Sequence, residues 1–138
     1  MAQIILTSNV VIPNGPKFAF NQKLQVEAYD LIDVTVPKAT TSDVQVELPG
    51  STDGIDFLAI QSDWFGEELK YKLEETGSDY PLDQPLLLVG KGAVSFFIAS
   101  GATAGPTSLY FSNDASKEAK VQILIGRDAT PTPAPASP

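Results

Sequence analysis

The sequence predicts an all-β protein, an antiparallel β-sandwich or jelly roll with extended N- and C-terminal arms. Three observations carry this. Apolar residues recur at every second position in most segments, turn-forming residues separate the segments at short intervals, and 138 residues with 43% hydrophobic content suffice for one core but not for two domains of ordinary size.

The period-two segments come in order. Over 30–36, Ile32, Val34 and Val36 face one way and Asp33 and Thr35 the other; Pro37 ends the run because proline has no N–H for a ladder. Over 43–48, Val44, Val46 and Leu48 alternate with Asp43, Gln45 and Glu47. Over 108–112, Leu109 and Phe111 oppose Ser108, Tyr110 and Ser112. Over 120–125, Val121, Ile123 and Ile125 form an inward set, and Gly126 is expected to stop the strand. Three stretches, 55–60, 86–89 and 94–99, are apolar on both faces and read as central strands covered on both sides. Residues 69–73 alternate as well. A helix over 65–75 competes there, because Phe65, Leu69 and Leu73 recur every four residues; the flanking β pattern favours the strand.

Turn chemistry punctuates these runs at Pro13-Asn14-Gly15-Pro16, Pro49-Gly50, Asp53-Gly54, Gly77-Ser78-Asp79, Gly90-Lys91-Gly92, the stretch from Gly101 to Pro106, and Asn113-Asp114. The chain divides into an N-terminal arm with the first strand or strands (1–23), a β-sandwich (24–128) and a Pro/Ala-rich tail (129–138). The tail, from Thr130 through Pro131, Pro133 and Pro135 to Pro138, holds too few apolar side chains to bury and is expected to be extended and polyproline-like.

Composition excludes several function classes. The chain has no cysteine and no histidine, which removes disulfides, thiolate zinc sites, Ser-His-Asp and Cys-His nucleophiles and most transition-metal sites. The formal charge is −8, with fourteen acids against three lysines between Glu27 and Asp83. Such a surface repels phosphate, so nucleic acid is not an expected partner. The first residues, Met1-Ala2-Gln3-Ile4-Ile5-Leu6, have no basic region and only a short apolar run. No secretory signal is expected, and no apolar stretch approaches a membrane span. The expectation is a soluble protein made in the cytoplasm, with no membrane partner.

Candidate sites are few. Asp53-Gly54-Ile55-Asp56 offers oxygen ligands for calcium but lacks the spacing and downstream glutamate of an EF-hand loop; a turn feeding a strand explains it better. Glu67, Glu68, Glu74, Glu75 and Asp79 hold the carboxylates that glycoside hydrolysis needs, but solvated surface acids are far commoner and explain them better. Gly90-Lys91-Gly92 lacks the spacing of a phosphate-binding loop and reads as a hairpin turn. Trp64-Phe65 is an aromatic pair placed either to cap the core or to meet a partner. Tyr29, Trp64, Tyr71, Tyr80 and Tyr110 would make a sugar-stacking platform if they shared a face. The expectation is therefore no enzyme, no metal and no cofactor.

One ordered series of segments has a further meaning. It comprises Asp33-Val34-Thr35-Val36-Pro37, Val44-Gln45-Val46-Glu47-Leu48, Ile55-Asp56-Phe57-Leu58-Ala59-Ile60-Gln61-Ser62-Asp63, Pro85-Leu86-Leu87-Leu88-Val89-Gly90, Leu109-Tyr110-Phe111-Ser112-Asn113 and Val121-Gln122-Ile123-Leu124-Ile125-Gly126-Arg127-Asp128. The likeness they carry covers roughly residues 24–128. This series resembles small β-sandwich structural proteins of tailed bacteriophage virions, of the capsid cement or decoration type. The resemblance implies a non-enzymatic virion protein that binds a major capsid protein or another virion protein, with a homo-oligomer as a further option. It brings no set of functional residues with it, since such proteins act through surfaces. The alternative is a carbohydrate-binding module. Candidate contact residues are Ile4 and Leu6 in the arm, Trp64 and Phe65, and Thr130, Pro131, Pro133 and Pro135 in the tail. Deleting 130–138 is expected to leave the thermal melting temperature unchanged and to weaken incorporation into an assembly; equal incorporation of the truncated and full chains would remove the tail from the contact.

Overall fold

The computed structural model describes residues 2–40, 42–48, 55–94 and 108–127. Ten strands and one short helix follow in chain order: β1 (Ala2–Val11), β2 (Lys17–Val26), β3 (Ala28–Val36), β4 (Val44–Glu47), β5 (Ile55–Ser62), β6 (Gly66–Lys72), β7 (Tyr80–Leu82), β8 (Leu86–Val89), α1 (Lys91–Val94), β9 (Ser108–Asn113) and β10 (Ala119–Arg127).

Eight strands form two four-stranded sheets, β3-β10-β5-β8 and β4-β9-β6-β7, and every neighbouring pair is antiparallel. Successive strands alternate between the sheets until β6 and β7 pair, and the chain then retraces its path. That is the jelly-roll order, two Greek keys folded face to face. The sequence expectation of an all-β sandwich or jelly roll therefore holds. Each inner face is the apolar half of a period-two pattern. Val36, Leu58, Ile60, Val121, Ile123 and Ile125 come from one sheet. Val46, Leu69, Leu82, Leu109 and Phe111 come from the other. All lie in one buried cluster.

Several expectations need correction. Residues 69–73 do lie largely in a strand, β6, and not in a helix, because Leu69 and Tyr71 pair across from Asn113 and Phe111 of β9. Gly126 does not stop β10; the strand continues to Arg127, with a register shift between the two. The segment 86–89 is not central. It is β8, at the edge of its sheet. The expected hairpin turn at Gly90 to Gly92 is instead a helical turn: Gly90 takes a φ of 92°, its N–H donates to Asp56 O at 2.7 Å, and Val94 N donates back to Gly90 O at 3.0 Å. This turn delivers Val94 to the core, where it is buried. The strand expected over 94–99 thus begins as helix, and its remainder lies outside the described residues, as do Asp53, Gly54 and the tail. The sequence reading also passed over β7, whose Pro81 is tolerated because β7 is an edge strand.

The remaining strands, β1 and β2, form a separate two-stranded ribbon, paired residue for residue from Ala2↔Val26 to Val11↔Lys17. Pro13-Asn14-Gly15-Pro16 makes its tip. Asn14 adopts a left-handed φ of 60°, which asparagine tolerates better than most residues, and Gly15 N donates to Ile12 O at 2.8 Å.

One buried polar side chain ties the far end of the sandwich. Asn113 Nδ2 donates to Lys117 O at 2.7 Å, and its Oδ1 accepts from Ala115 N at 2.9 Å, which shapes the β9–β10 turn. Its backbone N–H donates to Thr40 Oγ1 at 2.8 Å, and its carbonyl accepts from Thr40 N at 2.9 Å, which clamps the β3–β4 loop to that turn. Asn113→Ala removes its side-chain hydrogen bonds to Lys117 O and Ala115 N, both part-buried, and to the buried Val36 O, and is expected to cost about 1–3 kcal/mol. Urea unfolding checks this: the midpoint should fall with an unchanged slope.

Candidate interaction surface

The outer faces of the two sheets differ in chemistry. On the β4-β9-β6-β7 sheet, the strand rows place Gln45, Glu47, Ser108, Tyr110, Ser112, Lys70 and Lys72 outward. Lys70 pairs with Asp114 at 2.9 Å and Lys72 with Asp43 at 2.7 Å. In each case the hydrogen bond to the carboxylate raises the lysine pKa above its ordinary value. This is an ordinary solvated face.

The β3-β10-β5-β8 sheet is the opposite. One outward row crosses all four strands as Leu31, Leu124, Ala59 and Leu87. Leu31 is 57% exposed and Leu87 44%. With Pro85 they line a shallow recess of about 310 Å³. The next row is polar and internally bonded: Gln61 Nε2 donates to Gln122 Oε1 at 2.7 Å, and Gln122 Nε2 donates to Asp33 Oδ1 at 2.9 Å. It separates the apolar recess from a polar one of about 550 Å³, lined in part by Asp33, Ser62, Asp63 and Lys120.

On the other side of the apolar row lie Tyr29, Gly126, Phe57 and Val89. Phe57 points outward yet is only 4% exposed. It lies beside Gly126, where the base of the ribbon comes down onto the sheet. A β-carbon at Gly126 would lie 2.8 Å from Ile4 Cδ1, 2.9 Å from Val26 Cγ1 and 3.2 Å from Phe57 Cβ, so the ribbon seats where β10 lacks a side chain. Glu27 N donates to Arg127 O at 3.1 Å beside this seat.

Residues directly opposite in an antiparallel pair share a face. One ribbon face therefore carries Ala2, Ile4, Leu6, Ser8 and Val10 with Val26, Leu24, Gln22, Phe20 and Phe18. The other carries Gln3, Ile5, Thr7, Asn9 and Val11 with Gln25, Lys23, Asn21, Ala19 and Lys17. The first face is buried at its base, where Val26 is 1% exposed, and open at its tip. Every residue from 9 to 23 is exposed. Phe18 and Phe20 stack with ring centroids 6.4 Å apart, and each keeps about half its surface in solvent. An isolated two-stranded ribbon is marginal in water, and apolar patches of a few hundred Å² mark interaction sites.

Of the residues singled out by sequence, Ile4 and Leu6 lie half-buried on the apolar ribbon face. Trp64 and Phe65 are partly buried and pack against the core. Trp64 Nε1 donates to Glu118 O at 2.9 Å, and Lys117 Nζ stands 5.0 Å from the ring centroid. Thr130, Pro131, Pro133 and Pro135 lie outside the described residues. The aromatic set does not assemble on one face. Tyr29 is outward on one sheet and Tyr110 outward on the other, while Tyr71 packs against the core and contacts Tyr80 at 5.6 Å. Burial pushes the Tyr71 phenol above its ordinary pKa, with Tyr80 and Asp83 adding to the rise. Glu67, Glu68, Glu74, Glu75 and Asp79 are all exposed, and neither recess on the apolar sheet includes any of them. Among the described residues, no group of three potential ligands is placed to hold a metal, and no helix is long and apolar enough to cross a membrane.

Sequence reasoning missed Phe18, Phe20 and Val10 as surface residues. The signal was present as alternation over 17–20 opposite a proline–asparagine–glycine turn, which marks a hairpin. No protein-family model, curated protein or solved structure matches this chain. Replacing Phe18 and Phe20 together by Thr is expected to shift stability by no more than about 0.5 kcal/mol per site, as for exposed positions. The same variant should lose much of the wild-type fluorescence enhancement of a hydrophobic dye such as ANS; unchanged dye binding would mean that this face is not the accessible apolar patch.

Proposed function

We propose that the chain is a non-enzymatic structural protein of a virion, a capsid cement or decoration protein that holds a viral shell by surface contact. The partner in this reading is the major capsid protein or another virion protein. The observation that carries it is the contrast between the two outer sheet faces: one is charged and solvated, while the other carries an exposed leucine row beside the seat of an apolar ribbon. A domain of this size gains nothing in solution from such a face, whereas burial against neighbours makes it a source of association energy. Contact with more than one shell subunit, through the sandwich and an arm together, would raise the cost of separating them. The ordered segments over 24–128 support the same reading. The jelly roll does so only by analogy, since it serves shells, lectins and enzymes alike.

The carbohydrate-binding alternative has less support, because its five aromatic residues lie on different faces and Trp64 is engaged by Glu118 and Lys117. The test is density-gradient purification of particles from cultures producing the chain, followed by mass spectrometry. The protein should band with the particles in near-constant ratio to the shell protein. Its retention in the soluble fraction while particles form would overturn the reading, and specific binding on a glycan array would replace it with the carbohydrate one.

A further inference from the structure

We propose that copies of this chain link by arm exchange: the distal apolar face of the β1–β2 ribbon of one copy docks on the outward row Leu31, Leu124, Ala59 and Leu87 of a second copy. The proposal deepens the contact reading above by naming the ribbon's occupant.

Three observations select a second copy. The first is continuity with a contact already made. The same ribbon face, through Ile4 and Val26, packs on this same sheet face at Gly126 and Phe57, one row away from the open patch. The chain therefore already contains the ribbon-on-sheet fit; the distal half repeats its chemistry with Val10, Phe18 and Phe20. The second is reach. Val10 and Phe18 stand six residues beyond the Ile4 seat, about 20 Å along the strand, and the exposure of every residue from 9 to 23 shows that the distal half leaves its own sandwich uncovered. Among the described residues, nothing of the same chain covers either the distal ribbon or the patch. The third is charge. Residues 1–26 contain Lys17 and Lys23 and no acid, while residues 27–138 hold all seventeen acids against seven bases. Both lysines lie on the ribbon face opposite the docked one, so they steer a cationic ribbon toward the acidic body of another copy without pairing across the contact. Asp33 stands on the polar row that borders the patch.

The docking is apolar at its centre and polar at its rim. The Phe18–Phe20 pair meets the leucines and the recess of about 310 Å³, and the Gln61–Gln122–Asp33 row bounds the contact on one side. If both copies exchange ribbons, the contact is isologous and closes as a dimer; if each passes its ribbon onward, the contact closes as a ring.

The cysteine-free sequence makes the test clean. Full-length Phe20→Cys and full-length Leu87→Cys are mixed and oxidised. A disulfide-linked heterodimer should form, and it should not form when Tyr110→Cys, on the solvated face, replaces Leu87→Cys. In sedimentation equilibrium the wild-type chain should self-associate, and Phe18→Thr/Phe20→Thr should weaken association by about 30-fold or more, the loss of a buried aromatic anchor. Urea unfolding at a concentration where the wild type is monomeric, with an equal slope and no more than the small shift expected of exposed positions, separates loss of docking from loss of fold. A wild-type chain that stays monomeric to its solubility limit, or equal cross-linking to the Leu87 and Tyr110 positions, would overturn arm exchange. Particle co-banding of a monomeric chain would sink this proposal and leave the virion reading standing; self-association without co-banding would do the reverse.

Discussion

The outward row of β10 runs Gln122, Leu124, Gly126, and the last of these has no side chain. Ile4 and Val26 come down onto the sheet there, into space that a β-carbon would contest at 2.8 and 2.9 Å. The inward row of the same strand, Val121, Ile123 and Ile125, supplies the centre of the core. One strand thus holds the sandwich together on one side and carries the ribbon on the other. The seat of the ribbon on the sheet depends on this close approach.

The fold was legible where one face of a strand is wet. Val44-Gln45-Val46 and Leu109-Tyr110-Phe111 alternate because the β4-β9-β6-β7 sheet has a solvated exterior, and their pairing follows the alternation. The reading failed where that premise failed. Leu86, Leu87 and Leu88 are apolar on both sides, which ordinarily means a central strand, yet β8 lies at an edge with Leu87 open to solvent. Gly126 resembles a strand terminator until its outward neighbour is known. Neither residue reveals its role without the partner surface, because the signal lies in the mismatch between local pattern and position in the sheet. Such mismatches gather at functional surfaces. Trp64 shows the converse: its type suggests an interface, and its geometry spends it on Glu118 and Lys117.

The two faces of the molecule are suited to different surroundings. The lysine–carboxylate pairs and amides of one exterior need no partner. The leucine row and the aromatic tip of the ribbon remain unsatisfied until something covers them. In the proposed contact role the tasks would divide by side: one face would keep the protein dispersed and the other would commit it. The buried Asn113 knot at the far end of the sandwich, joining the β3–β4 loop to the β9–β10 turn, fixes the frame on which both faces are displayed.

The seat of the ribbon also sets an order in time. β1 and β2 are joined by a five-residue connection, and pairing of that kind forms on the order of microseconds. Gly126 and Phe57 become a surface only after β10 has paired with β3 and β5, contacts whose widest loop runs from Ala28 to Arg127. Sheets built from such distant pairings form on about the millisecond-to-second scale. By those rates the ribbon can pair transiently, at marginal stability, before the place on which it rests has formed. For that interval its edges are guarded by local means alone, the prolines at 13 and 16 and the lysines at 17 and 23.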